Sequence, residues 1–240
     1  MKIVSWNCNM AFRKKIHFAK EWNADIMIVQ ECEHPKKIFK NQNDFSQENF
    51  IWLGDNENKG IGILSLNAKY SLQLNEINSE GNKWFVPFTI NNQINAIAVW
   101  AMNHRHNAVV NKIGTTYNTI QNNKTVFEQA DFIIGDFNNN VIWDKSEAKK
   151  YAVGTFGDIV KSLEQFGFAS VYHAFKNEEM GKESLPTFFW RKNIAATYHI
   201  DYCFFKKEKF NQINNFEIMA NLKMLEWSDH VPMFLEFNLV

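Results

Sequence analysis

The chain has 240 residues, 45% hydrophobic and 15% aromatic, enough for a single domain over 1–240 that buries roughly three-quarters of its unfolded surface. Lys plus Arg equal Asp plus Glu at 26 each, so no global field draws in a polyanion or a membrane surface, although a local basic patch is still allowed. No apolar run reaches the roughly 20 residues that a bilayer crossing needs, and "MKIVSWNCNM" has too short an apolar part for a signal peptide. The expectation is a soluble, cytoplasmic protein with no membrane partner and a monomer as the default state.

In chain order, short β-rich runs recur: "KIVSW" at 2–6, "DIMIVQ" at 25–30, "GIGILSL" at 60–66, "KWFVPFTI" at 83–90 and "NAIAVWAM" at 95–102. "DFIIG" at 131–135, "HIDYCFF" at 199–205 and "VPMFLEFNLV" at 231–240 follow. Several are apolar almost throughout, as strands covered on both faces are. Pro87 suggests an edge strand or a bulge. Between the strands, Phe12, Ile16, Ala19 and Lys20 carry helical spacing, and Val109, Ile113, Tyr117 and Ile120 make a cleaner stripe. "TFGD" at 155–158 has the form of a capping box, opening a helix that buries Ile159, Leu163 and Phe166. The Asn/Gln/Lys-rich pieces at 41–49, 121–124 and 206–215 read as loops too short to separate domains. Cys8, Cys32 and Cys203 are odd in number, lack a CxxC spacing and sit in apolar stretches, which makes them small core residues.

Chemically competent groups cluster where the apolar runs end. "KIVSW" leads into Asn7 and Asn9, "DIMIVQ" into Gln30 and Glu31, and "DFIIG" into Asp136 and Asn138. "WSDHVP" supplies Asp229 and His230 just before the last run. Each has a bland alternative: Glu31 a solvated carboxylate, Asn7 and Asn9 turn formers. Asp201 differs, because it lies inside the apolar run "HIDYCFF" and needs a hydrogen-bond donor there. His230 is a candidate, and such a pair would orient the imidazole and raise its pKa. The set suits metal-assisted phosphoester hydrolysis. A hard cation takes one or two carboxylates, neutral amides hold phosphate oxygens without repelling them, an Asp orients or deprotonates water, and a His⁺ meets charge building on the phosphoryl group.

The order "SWNCN", "VQE", "GDFN", "HIDY", "SDH" resembles the signature order of the endonuclease/exonuclease/phosphatase superfamily, over essentially the whole chain. That group includes exonuclease III-type apurinic endonucleases and pancreatic-type deoxyribonucleases. The resemblance implies an α/β (α+β) four-layer sandwich, two packed mixed β-sheets flanked by helices, with the active site at one end. It implies that Asn7 contacts the scissile phosphate and that Glu31 binds Mg²⁺, with Mn²⁺ a possible substitute. It further implies a weak or water-mediated metal role for Asn9, a place for Asp229 beside the metal, and Asp136 as the acid that activates water. Asn138 would then hold a phosphate oxygen and Asp201 would pair with His230.

After the fifth run, relatives usually present a Tyr or His to the phosphate, whereas this chain reads "AVWAMNHRHN". Either His104 or Arg105 takes over that contact, or the stretch is a solvated loop beginning a helix near Asn107. A narrower similarity, to small bacterial members of the superfamily, covers "WLGDNENKGIGILS" and "IIGDFNNNVIWD". It places Trp52, Asn56, Lys59 and Trp143 where a substrate groove could run, and the competing reading is a hairpin turn with partly buried tryptophans. The basic residues near motifs are Arg13, Lys14, Lys15, Lys59, Arg105, Arg191 and Lys192. The leading function is a Mg²⁺-dependent phosphodiesterase, a nuclease acting on DNA or RNA. The second is a phosphatase or phosphodiesterase of a nucleotide or another small phosphorylated molecule. The third, a non-catalytic binding domain, is disfavoured because no motif carboxylate is missing and the terminal His is in place.

Overall fold

The computed structural model describes residues 1–40, 49–77, 85–101 and 113–238. His104, Arg105, Asn107, Val109 and most of the 41–49 loop lie outside the described residues. One six-stranded sheet is built from β1 (Lys2–Asn7), β2 (Ile26–Cys32), β3 (Phe50–Asn56), β4 (Lys59–Ser65), β13 (Ile213–Ile218) and β14 (Met233–Phe237). Its spatial order is β13-β14-β1-β2-β4-β3. The other is built from β5 (Leu72–Leu74), β6 (Phe85–Ile90), β7 (Ile94–Trp100), β8 (Phe132–Asp136), β9 (Phe168–Ser170) and β12 (Asp201–Lys206), in the order β5-β6-β7-β8-β12-β9. A separate hairpin joins β10 (Phe188–Phe189) to β11 (Thr197–Tyr198). Both large sheets are mixed: β1 with β2 and β7 with β8 run parallel, and the remaining neighbours antiparallel.

Two apolar layers explain why the central strands carry so few polar residues. Phe132 and Ile134 of β8, Ala98 and Trp100 of β7 and Cys203 and Phe205 of β12 join the core between the sheets. Their alternates Ile133, Val99 and Phe204 pack outward on a second cluster with Ile120, Phe127, Ile159 and Leu163. The helices Thr115–Asn122, Lys124–Gln129 and Phe156–Gln165 supply that second cluster. On the far side of the other sheet, Trp6 meets Phe18 and Trp22 edge-on as the short helix His17–Glu21 folds back. The result is four layers: helices, sheet, sheet, helices. All three cysteines are buried and unpaired in disulfides.

Parity along the strands decides where the polar groups go. Because side chains alternate faces, Asp136 follows Phe132 and Ile134 into the space between the sheets, and Ser5 and Asn7 of β1 face the same space. Between the sheets, Gln30 Nε2 donates to Ser5 Oγ at 3.1 Å. Gly135 is the close-approach point: its φ is +144°, and a Cβ there would lie 2.1 Å from Val99 O and 2.9 Å from Gln30 Nε2. Only a residue without a side chain lets Gln30 cross from one sheet to the other.

Four expectations are corrected. The stripe that includes Ile113 is not one helix, because Ile113 forms a parallel bridge with Val153 and the helix starts only after Gly114. Residues 121–124 continue helical structure, and 206–215 hold a 3-10 helix, Lys207–Gln212, and the start of β13, so neither is a plain loop. Pro87 is not on an edge strand. It sits in β6 just beyond the last β5 pair, Leu74 with Phe88, where its missing N–H leaves no ladder partner wanting. Asp201 begins β12 rather than lying inside a strand, which places it at the sheet's end. The capping box forms as expected between Thr155 and Asp158, although Phe166 is only partly buried.

Candidate active site

The strand ends converge at one end of the sandwich. Antiparallel register sets Asp201 directly beside Asp136, and parallel register sets Trp100 on Asp136's other side. Across the gap, Asn7 Nδ2 donates to Asp136 Oδ2 at 3.0 Å, joining the two sheets through one hydrogen bond. Asp136 Oδ1 accepts from the Asn138 backbone N–H at 2.7 Å, and Oδ2 from Asn138 Nδ2 at 3.3 Å. Asn138 makes both bonds by adopting φ +53°, a left-handed conformation that Asn tolerates better than most residues. Phe137 turns the other way into the outer cluster against Phe85, Phe156, Tyr202 and Phe204. That anchor fixes the loop from behind.

His230 Nδ1 and Asp201 Oδ2 are 2.9 Å apart and fully inside the protein. Both are held by neutral groups. Thr187 Oγ1 accepts the backbone N–H of Ile200 and of Asp201, each at 3.0 Å. Ser228 Oγ accepts the His230 N–H and donates to Asn7 O, tying the last motif to the first. Burial alone would lower the His230 pKa, but the Asp201 charge and hydrogen bond outweigh it and raise it to about 9. The Asp136 pKa is raised too, which for an acid favours the neutral form. Burial first, and then the neighbouring Asp201 charge, raise it to about 7 against the opposing pull of His230 and Asn7. The site thus pairs a carboxyl poised near neutrality with an imidazole that keeps its proton.

The loop after β1 is strained. Asn9, Met10 and Ala11 have φ of +50°, +60° and +50°, three successive left-handed residues without a glycine, each costing stability. The buried Lys15 ammonium accounts for their persistence: it donates to the carbonyls of Cys8, of Asn9 at 3.3 Å and of Met10 at 2.9 Å. Asn9 also donates its N–H to Asn7 Oδ1 at 3.0 Å, orienting that amide. Lys15 is therefore removed from the set of phosphate-binding candidates, while Arg13 is paired with the buried Glu33. Thr187 and Trp100 had no signal in the sequence, because neither residue type announces chemistry by itself.

Glu31 stands on a β-bulge, with φ +57° and a register shift between Gln30 and Cys32 against β4. Its carboxylate meets Lys59 Nζ at 3.0 Å, and the same ammonium lies 5.0 Å over the Trp100 ring. Asp229 is partly buried, with its carbonyl accepting the Phe189 N–H at 2.8 Å. Trp143 leans on Tyr198 at 5.2 Å, Tyr198 stacks on Phe188, and Phe188 lies 4.6 Å from the His230 ring, so a row of rings leads from Trp143 to the site. Arg191 is exposed on the β10–β11 hairpin, over Trp190. Trp52 covers the backbone of Gly54 and Gly60 and donates to Cys32 O, a packing role rather than a groove lining.

Two places fit a cation. Asp136, Asp201 and His230 each offer an atom within 4.8 Å of the others, two of them carboxylate oxygens of the kind a hard ion prefers. Glu31 offers the other position, a single partly buried carboxylate whose charge is met by Lys59.

No protein-family model matches the chain, and no curated protein does either. Solved structures do. An AP endonuclease from Archaeoglobus fulgidus aligns over 100% of both chains at 19% identity and a TM-score of 0.70. A 3′ phosphatase from Neisseria, bound to a product DNA hairpin, aligns over 100% of both chains at 15% identity and 0.68. An AP endonuclease from Leishmania major aligns over 100% of this chain and 88% of its own at 9% identity and 0.72. At such identities the likeness is one of fold. The chain has a deoxyribonuclease-like fold, the one these AP endonucleases and this 3′ phosphatase share.

Proposed function

We propose that the protein is a metal-dependent phosphodiester hydrolase whose substrate is a nucleic acid, DNA or RNA. The observation that carries this reading is the buried Asn7–Asp136–Asn138 hydrogen-bond set beside the Asp201–His230 pair. Asp136, poised at about 7, takes the proton of the attacking water. Asn7 and Asn138 hold that carboxylate in one orientation, and as neutral amides they can meet a phosphoryl oxygen without repelling it. His230, kept protonated by Asp201, offers positive charge to the same oxygens as negative charge grows on them. A divalent ion on Glu31, Mg²⁺ or Mn²⁺, with Asn9 and Asp229 beside it, would supply Lewis-acid neutralisation of the phosphate. The ring row from Trp143 and the Arg191 hairpin give bases and a backbone something to lie against.

The test is the purified protein with Mg²⁺ against single-stranded, duplex and abasic-site DNA, RNA and bis-p-nitrophenyl phosphate. Cleavage of at least one nucleic acid, lost on EDTA, is expected. Hydrolysis of the small diester with every nucleic acid left intact would shift the assignment to a small-molecule phosphodiesterase, the reading that the zero net charge favours. No hydrolysis of any of them would overturn both.

A further inference from the structure

Lys59 pairs with the Glu31 carboxylate at 3.0 Å. Its root is rigid: at Gly60 a Cβ would lie 2.3 Å from Leu53 O and 2.7 Å from the Trp52 ring, so the β3–β4 hairpin is clamped under that indole. Its stem is flexible, with four carbons between that root and the charge. The ammonium rests on two partners from different sheets, Glu31 at 3.0 Å and the Trp100 ring at 5.0 Å. Trp100 is in register with Asp136, so Lys59 reaches the end of the sandwich where Asp136 stands. The Lys59 side chain is 37% exposed, and exposed ion pairs and cation–π contacts of this kind hold weakly. Lys15 is a contrast: three backbone carbonyls lock it in place.

We infer that Lys59 is an exchangeable resident cation: it neutralises Glu31 until a divalent ion displaces it, and its freed ammonium then binds a non-bridging oxygen of the substrate phosphate. The idea rests on the phosphoesterase reading and adds a coupling to it. Lys59 supplies the direct counter-charge to Glu31 before a metal enters. Once displaced, the ammonium remains tethered within one side-chain length of the site and meets an anion that the metal alone does not fully neutralise.

The experiment uses the full chain and two equilibrium readouts. Mn²⁺ binding is followed by the electron-paramagnetic resonance signal of the free ion, and inorganic phosphate binding by calorimetry at saturating Mn²⁺. Lys59→Met should bind Mn²⁺ about tenfold more tightly than wild type, about 1.4 kcal/mol, and phosphate about tenfold more weakly. The opposite signs separate exchange from simple damage to the fold, which would weaken both. Glu31→Gln reports on the metal position itself. If Glu31→Gln loses Mn²⁺ but Lys59→Met leaves Mn²⁺ affinity unchanged or weaker, the exchange is wrong and the phosphoesterase reading stands. The exchange is equally wrong if phosphate affinity does not fall in Lys59→Met. If wild type and Glu31→Gln bind Mn²⁺ alike, Glu31 is not the metal position, and the metal assignment falls together with the exchange.

Discussion

Asp136 and His230 are opposite solutions to the same burial. Both are enclosed, yet one carboxyl is pushed up to about 7 and one imidazole up to about 9. The difference lies in their partners: Asp136 feels a second carboxylate, and His230 holds one. Replacing either with Ala should lower turnover at least about a hundredfold, as for other acid–base and electrostatic groups. Near-normal rates in both variants would remove them from the site. The His230 shift also has a stability signature. Its folded pKa of about 9 lies above the ordinary 6.5, so its charged pairing stabilises the fold fully below pH 6.5 and fades as pH rises through 9. Urea midpoints of wild type and His230→Gln should therefore differ most near pH 6 and converge by about pH 9.5. A gap that is flat across that range would show that His230 is not protonated in the folded state.

At the scale of elements, the geometry of the site depends on short irregularities in otherwise regular strands. The bulge at Glu31 turns one carboxylate out of β2, the left-handed Asn138 folds the loop after β8 onto Asp136, and Gly135 lets the two sheets close. Gly135→Ala should cost about 3 kcal/mol, the upper range for one substitution, because its Cβ would meet Val99 O, a backbone atom that cannot yield without breaking the β7–β8 pairing. Chemical denaturation would measure it, and a loss below about 1 kcal/mol would mean that the sheets have slack there. The strands readable from sequence were β1, β2, β4, β6, β7, β8, β12 and β14, all interior to the two large sheets. The unread ones in those sheets, β3, β5, β9 and β13, are their four edges. An edge strand is half wetted, carries residues such as Asn214, Asn215 and Glu217, and so loses the apolar run that marks a covered strand.

At the scale of the whole molecule, the charge balance bears on how a polyanion is held. Net charge is zero, Lys15 is used inside the fold and Arg13 is paired with Glu33, and among the described residues the remaining basic candidates are Lys14, Lys59, Arg191 and Lys192. Two or three phosphate contacts predict a logarithmic salt slope of about −2 for nucleic-acid binding. Fluorescence anisotropy with a labelled oligonucleotide across salt concentrations would measure that slope. A slope near −6 would require a basic surface that the described residues do not provide. No helix among the described residues is long and apolar enough to cross a membrane.

The sequence by itself determined the order of the strands, their burial on two faces and the identity of the polar groups at their ends. Covered strands must be apolar, and a polar cluster that interrupts such a run is visible in one dimension. Tertiary structure alone decided which of those groups meet. That Asn7 reaches Asp136, that Asp201 opens its strand beside Asp136 and faces His230, and that Lys59 lies on Glu31 and Trp100 all depend on register and on the gap between two sheets. Lys15 makes the same point: a cation near a motif reads as a phosphate ligand until the fold turns it onto three carbonyls. Residue type sets what a group can do, and packing sets which partner it has, because contacts across sheets join positions separated by 129 residues, as in the Asn7–Asp136 bond.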